Sequence, residues 1–435
     1  MDFPLKCHLE KLECHFTWDL GCYKHKLQEL SDDFHDMDQQ TCTWQVHNNN
    51  LLGYIQYALG SNKKALLHFC KAESVIQEQG TEEAEARLQV NKANMAWVHF
   101  LLGNTAESKA YLEEVEKLQQ MHPAPPGCML HPEVSGEKAW TLVKFDYSKK
   151  RQSIDLFRMA LKAEPERKEW HKGLASAMSR PLLMSEFTTD EVLKQLKRAI
   201  ELDPDSVFLQ SLYWLKLSEV PANYKNNYDK EVQSLLQKNI DTGNMEGLGV
   251  ILQYFQNISV DKAIQEGERV REKFPTSPRV LRNVANLYKS KVYSMNKDSR
   301  EKQALVEMSI DLFEEVLKHY PRNFKVKLSL ATMYQNAHNI EKANEIYSEL
   351  LLEKDDLPPD RLQYLYYSYA CYLFHSRQSR EDESILFYMK AAEIPDNRGC
   401  RQKCIKVLEN TLKSGRDPRC EDILCLLQRI RQENI

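Results

Sequence analysis

Apolar residues recur at i, i+4 and i+7 in one segment of this chain after another, the spacing of a single face of an α-helix. In residues 324–354 a first face carries Leu330, Ala331 and Tyr334, and a second carries Ala343, Tyr347 and Leu350. Residues 46–78 have the same two-part form: Leu52-Gly53, then Gly60 where a turn is due, then Ala65, Phe69 and Ala72. A further copy near 137–165 places Phe157 and Ala160 ahead of Pro165. Three more second segments end alike, with Ala199 before Pro204, Val270 before Pro275 and Val316 before Pro321. Proline lacks an amide hydrogen and clashes with the preceding turn, so it stops a helix. The pattern predicts antiparallel helical hairpins, with small residues that let the paired helices approach and a proline that closes each hairpin.

Two-helix units at a period of about 34 residues are the mark of tetratricopeptide repeats. The chain has room for about eight or nine such hairpins, and the expected fold is an all-α tetratricopeptide superhelical solenoid, each hairpin buried against its neighbours. Three sub-bundles are expected: residues 1–122, a central one at 137–240 with a basic groove, and 241–435. In the last, helices at 398–414 and 419–433 cap the solenoid. The stretch MHPAPPGCMLHPE at 121–133 contains four prolines and reads as a loop between the first two. Irregular insertions are expected around 181–190 and 290–305, and a smaller break at 218–228.

Composition agrees with helices. Glycine is scarce, at 14 of 435 residues, and charged residues make up 28%, so neither a glycine-rich nucleotide fold nor a disordered polyelectrolyte fits. No apolar run of membrane-spanning length occurs, and the opening MDFPLKCHLE lacks the basic-then-apolar form of a secretory signal. The 11 cysteines are odd in number, scattered and without a Cys-x-x-Cys pair, which predicts free thiols in a reducing cytosol. Cys400, Cys404, Cys420 and Cys425 leave two readings, a thiol metal site or ordinary thiols, and the ordinary reading is the expectation. The net charge of −4 excludes a general nucleic-acid binder of the histone kind. Yet Lys144 to Arg198 holds 13 Lys and Arg against 8 Asp and Glu, a net +5 that leaves −9 for the rest. Placement matters more than the total for steering an anion. Phosphate-loop, nucleophile-elbow and zinc-protease motifs are absent from the sequence, so no enzyme, cofactor or metal is expected. A repeat scaffold by itself predicts only binding.

The opening Cys14-His15-Phe16-Thr17-Trp18-Asp19-Leu20 is not demanded by any repeat consensus, and it resembles the start of the interferon-induced proteins with tetratricopeptide repeats. Asn50-Leu51-Leu52-Gly53-Tyr54, Asn94-Met95-Ala96-Trp97-Val98, His131-Pro132-Glu133 with Glu137-Lys138-Ala139-Trp140, Ala199 to Asp205, and Ser259-Val260-Asp261-Lys262-Ala263 resemble further segments of that family. The resemblance covers roughly residues 5–395.

It implies a cytosolic antiviral protein that holds the 5′ end of single-stranded RNA, triphosphorylated or capped without 2′-O-methylation, in a basic tunnel and sequesters it or blocks its translation. The implied alternative is a protein scaffold that works through family members, as a homo- or hetero-oligomer, or through translation or signalling proteins. No membrane is implied. By the resemblance, Trp140 falls on a tryptophan that stacks on the cap, Lys144 on a lysine near the phosphates, and Arg180 on an arginine that contacts them. From the residues alone, Trp140 is equally a core residue, and Lys144 and Arg180 are equally solvated charges. The resemblance adds Lys150, Arg151, Phe208, Arg282, Asn283 and Tyr288 as further RNA-binding candidates. It also departs from the family pattern: Lys150 stands at a tyrosine, Leu248 at an arginine, Phe208 at a tyrosine, and Arg282-Asn283 at a His-Gln pair. The family's C-terminal repeat that supports assembly has no counterpart.

Overall fold

The computed structural model describes residues 2–21, 23–35, 44–180, 186–220, 228–295, 299–375, 381–395, 398–415 and 417–433. Among them every regular element is a helix. The α-helices are α1 (Phe3–Leu9), α2 (Lys24–His35), α3 (Gln45–Ala58), α4 (Asn62–Gln79), α5 (Glu82–Ala86), α6 (Leu88–Leu101), α7 (Thr105–Met121), α8 (Pro132–Leu142), α9 (Tyr147–Ala163), α10 (Lys168–Met178), α11 (Thr189–Leu202) and α12 (Val207–Ser218). They continue with α13 (Asp229–Thr242), α14 (Leu248–Ile258), α15 (Val260–Lys273), α16 (Pro278–Ser294), α17 (Arg300–His319), α18 (Phe324–Asn336), α19 (Ile340–Leu352), α20 (Pro359–His375), α21 (Glu381–Glu393), α22 (Arg398–Ser414) and α23 (Cys420–Glu433). None of the described helices is long and apolar enough to cross a membrane. The chain divides into two compact units, residues 1–22 with 30–266 and residues 23–29 with 267–435.

The hairpins form for the reasons the pattern gives. After Pro204, Pro275 and Pro321 the next helix is capped two residues on: Ser206, Ser277 and Asn323 each accept a hydrogen bond from the amide three residues later. Proline stops one helix, and the cap satisfies an orphan amide at the start of the next. Thr188 and Glu191 form a full capping box on α11. Small residues admit rings: a Cβ on Gly53 of α3 would lie 2.4 Å from the Phe69 ring of α4. The stretch expected as an insertion at 290–305 is a correction. It is spent on length, with α16 running to Ser294 and α17 starting at Arg300, while 296–298 lie outside the described residues. Parts of the other two irregular stretches, 181–185 and 221–227, also lie outside them.

In the first unit the opening motif is a buried lock. The His15 amide donates to Asn94 Oδ1 at 3.1 Å, and its ring Nε2 lies 3.1 Å from Thr141 Oγ1. Phe16 stacks on Trp97 at 6.2 Å and meets Tyr54 edge-on at 5.3 Å. Trp18 Nε1 donates to Glu13 Oε2 at 2.7 Å. Burial pushes the His15 imidazole down to about 3, so it is neutral, and pushes the Cys14 thiol up to about 12. Below it runs a buried polar ladder: Asn91 Nδ2 donates to Asn50 Oδ1, and Asn50 Nδ2 donates to Glu137 Oε1, both at 2.9 Å. Burial pushes Glu137 up to about 8.

The second unit includes the first turns of α2. His25 Nε2 lies 2.9 Å from Glu353, and buried Glu29 pairs with Lys325 at 3.2 Å and Arg361 at 3.5 Å. Cys400 and Cys404 sit in an apolar core with Ala370, Leu408, Ile423 and Leu427. No group of three or more metal-ligating side chains among the described residues could hold an ion.

Candidate functional site

Helix α8 starts on His131, whose ring nitrogen accepts from the Glu133 amide at 3.3 Å, with Pro132 in the first turn. Proline suits that position because its missing amide hydrogen has no partner to lose there. The helix is buried along nearly its whole length. Gly136 gives it room, since a Cβ there would lie 2.2 Å from the Trp170 ring. One turn on, Trp140 is 6% exposed. Phe34 and Trp44 stack near it at 5.9 and 5.8 Å, and His47 lies 5.8 Å away. Lys144 Nζ stands 3.2 Å from the centre of the Trp140 ring and donates to the Trp140 carbonyl at 3.1 Å. The i, i+4 pair therefore meets as the spacing predicts, but the lysine covers the tryptophan's face. A cation over an indole is a favourable contact.

His47 is the residue the sequence reasoning missed. It lies among Trp44, Trp140 and Trp170, and neither ring nitrogen has a hydrogen-bond partner. Burial, with Arg87 and Lys144 adding positive charge, holds its pKa well below the ordinary imidazole range. The only sequence signal was its place three residues after Trp44, on the same helical face.

Six of the 13 cations of the basic stretch pair with carboxylates. Lys149 pairs with Asp19 at 2.9 Å, Arg151 with Asp155 at 3.0 Å and Glu186 at 2.5 Å, and Arg167 with Glu133 at 2.7 Å. Lys172 pairs with Glu246 at 3.0 Å, and Arg198 with Glu166 and Glu201. Lys150 is half-buried in the first turn of α9. Arg180 differs. It follows the end of α10, is exposed, and no hydrogen bond or carboxylate contact holds its guanidinium among the described residues. Desolvation alone lowers its pKa.

Phe208 is half-buried at the start of α12, its backbone 3.1 Å from where a Gly247 Cβ would stand. Leu248 is fully buried and brings no charge to the site.

No protein-family model matches the chain. Curated proteins do. Over 424 residues it is 28% identical to the antiviral innate immune response effector IFIT1 of Macaca fascicularis, covering 93% of this chain and 87% of that protein. It is 26% identical over 450 residues to human interferon-induced protein with tetratricopeptide repeats 2, covering 99% and 93%. The solved structure of the human IFIT1 dimer with m7Gppp-AAAA superposes with a TM-score of 0.66 at 24% identity, over 98% of this chain and 95% of that one. The chain is similar over nearly its whole length to interferon-induced proteins with tetratricopeptide repeats. The tetratricopeptide solenoid fold stands on the same matches.

Three candidates that the family resemblance raised lie in the second unit, on α16. Arg282 is half-buried on its surface. Asn283 Nδ2 donates to the Arg279 carbonyl at 2.9 Å. Tyr288 does not line a surface: it is 3% exposed and its hydroxyl donates to Glu268 at 2.6 Å. Burial and the Glu268 carboxylate push that hydroxyl's pKa up.

Proposed function

We propose that this chain is an antiviral effector of the interferon response that binds the 5′ end of single-stranded RNA without turning it over, and so sequesters the RNA or blocks its translation. The observation that carries the reading is Arg180, an exposed guanidinium that meets no carboxylate among the described residues and whose pKa desolvation lowers. A guanidinium grips phosphate oxygens with paired, charge-assisted hydrogen bonds, and these strengthen where water is thinned. Solved structures of human IFIT1 with PPP-AAAA and with m7Gppp-AAAA support the ligand class. Here the 5′-triphosphate is favoured over the cap, because Lys144 and two rings crowd the Trp140 face on which a cap would stack. Trp140 then shapes the site from its core position, and Lys144 is its ammonium neighbour to the phosphates.

The test is a mobility-shift titration of one short single-stranded RNA bearing a 5′-triphosphate, an unmethylated-ribose cap or a 5′-hydroxyl, at two salt concentrations. The expected result is preference for the triphosphate and steep loss of binding with salt, as counterion release requires. Equal, weak binding to all three would favour a protein scaffold. Buried Leu248, which brings no charge where the family resemblance places an arginine, speaks for that second reading.

A further inference from the structure

Helices α11 and α12 form a groove that the 5′-end site does not use. Lys197, Ile200 and Glu201 line it from α11, and Gln210, Tyr213 and Trp214 from α12. Each trio has i, i+3, i+4 spacing, one face of a helix, and Pro204 stands between the two. The groove holds about 430 Å³, within the range of ligand-binding clefts. Its α12 wall is aromatic. The Tyr213 and Trp214 ring centres are 5.3 Å apart with the rings at 70°, and the Tyr228 ring lies 5.0 Å from Trp214. Tyr213 and Trp214 are half-buried, and neither the Tyr213 hydroxyl nor the Trp214 indole nitrogen has a hydrogen-bond partner among the described residues. Nearby acceptors are engaged: Gln210 Nε2 donates to the Pro204 carbonyl at 2.6 Å, and Arg198 pairs with Glu201 at 3.0 Å. Lys197 Nζ adds a further donor, 6.0 Å from the Tyr213 ring centre.

We propose that this groove binds a proline-rich segment of a partner protein in the polyproline II conformation. The pyrrolidine rings pack against Tyr213 and Trp214, and the segment's carbonyls accept from the Tyr213 hydroxyl and the Trp214 indole. A proline run carries carbonyl acceptors and no amide hydrogens, so it matches a lining that donates. It also arrives already extended, which lowers the cost of ordering it. Aromatic-lined grooves recognise proline-rich segments in this way. An ordinary extended strand would bring amide donors, and the Pro204 carbonyl that could receive one is already taken by Gln210. The site is independent of the RNA reading, because no phosphate takes part in it.

The experiment is fluorescence-anisotropy titration of the full chain, as parent, Trp214→Ala, Trp214→Phe and Tyr213→Phe, with circular dichroism to confirm retained helicity. The probes are labelled decaproline, a Gly-Ser peptide of equal length and an oligoadenylate. The parent is expected to bind decaproline and not the Gly-Ser peptide, with little change between two salt concentrations, because no ion pair forms. Trp214→Ala is expected to weaken decaproline binding by about tenfold or more, as truncating an aromatic anchor does. Trp214→Phe and Tyr213→Phe keep an aromatic ring and remove one donor each, and are expected to weaken it by about threefold to tenfold. If Trp214→Ala loses helicity, the two phenylalanine variants decide. Parent-like binding by both of them overturns the proposal. So does a parent with no saturable decaproline binding up to about 1 mM, or one that binds both peptides equally. Oligoadenylate binding that these variants weaken, with decaproline unbound, makes the groove a nucleic-acid platform and overturns the proposal as well.

Discussion

The stretch Lys144–Arg198 in the first unit and the row Arg282–Tyr293 in the second are both rich in cations for their length, and they use them differently. In the first, six of the lysines and arginines are tied to carboxylates, several of which lie far away in sequence: Asp19 holds Lys149, Glu133 holds Arg167 and Glu246 holds Lys172. In the second, Lys289 donates to the Ser329 hydroxyl and faces no carboxylate among the described residues. A tally of charge along the chain marks the first region and passes over the second. What decides whether a cation can receive an anion is whether the fold has already given it a carboxylate. By that criterion Arg180 is a first-unit candidate and Arg151 is not.

Variants can break this contrast. The largest effect should come from Trp140→Ala. If the Lys144-covered indole is a core element, thermal or denaturant unfolding should show a loss of about 3–5 kcal/mol, the cost of deleting a buried aromatic. A loss under about 1 kcal/mol, near the level of surface changes, would make the ring a free platform instead. Arg180→Glu should weaken triphosphate-RNA binding by about tenfold or more, since a charged hydrogen bond contributes about 1.5–3 kcal/mol, with helicity unchanged by circular dichroism.

A pH series addresses the buried groups of the first unit. Glu137 is raised by burial from its ordinary value to about 8, so the folded state holds a proton that the unfolded state has lost, and stability should fall as pH rises from the ordinary carboxylate range to about 8. His15 and His47 are lowered by burial, so below the ordinary imidazole pKa the unfolded state binds protons the fold does not, and stability should fall toward acid. The two trends place the maximum near neutrality, on its acid side. Glu137→Gln should remove the alkaline fall, about 1.4 kcal/mol per pH unit where it is steepest, in melting curves recorded from pH 6 to 8. The smallest effect is Arg151→Gln. It breaks a partly exposed ion-pair set that contributes about 0–1 kcal/mol, and RNA affinity should change by less than about threefold. A larger loss would mean that paired cations are still available to RNA.

The hairpins were legible because their causes are local. Apolar spacing, small residues such as Gly53 against Phe69, and prolines five residues past Ala199, Val270 and Val316 all act within one or two turns. The serine or asparagine cap two residues after each proline was equally readable and went unused. The stretch at 290–305 misled because extra residues can lengthen two helices as easily as loop out between them. The site was harder to read. Trp140 and Lys144 meet as i, i+4 spacing requires, but what covers Trp140 comes from Phe34 and Trp44, about a hundred residues upstream. His47 could not be singled out, because its lack of partners is a property of packing. The opening Cys14–Leu20 motif was legible as a signature, yet only the fold gives its physical reason, a neutral histidine locked between Asn94 and Thr141.

The most direct test is a four-way binding cycle. Dissociation constants would be measured for parent and Arg180→Glu against the same RNA with a 5′-triphosphate and with a 5′-hydroxyl, at one fixed salt concentration. The account predicts that the parent prefers the triphosphate and that the substitution removes this preference while leaving the hydroxyl strand nearly unchanged. Equal losses on both strands, or none on either, would contradict it.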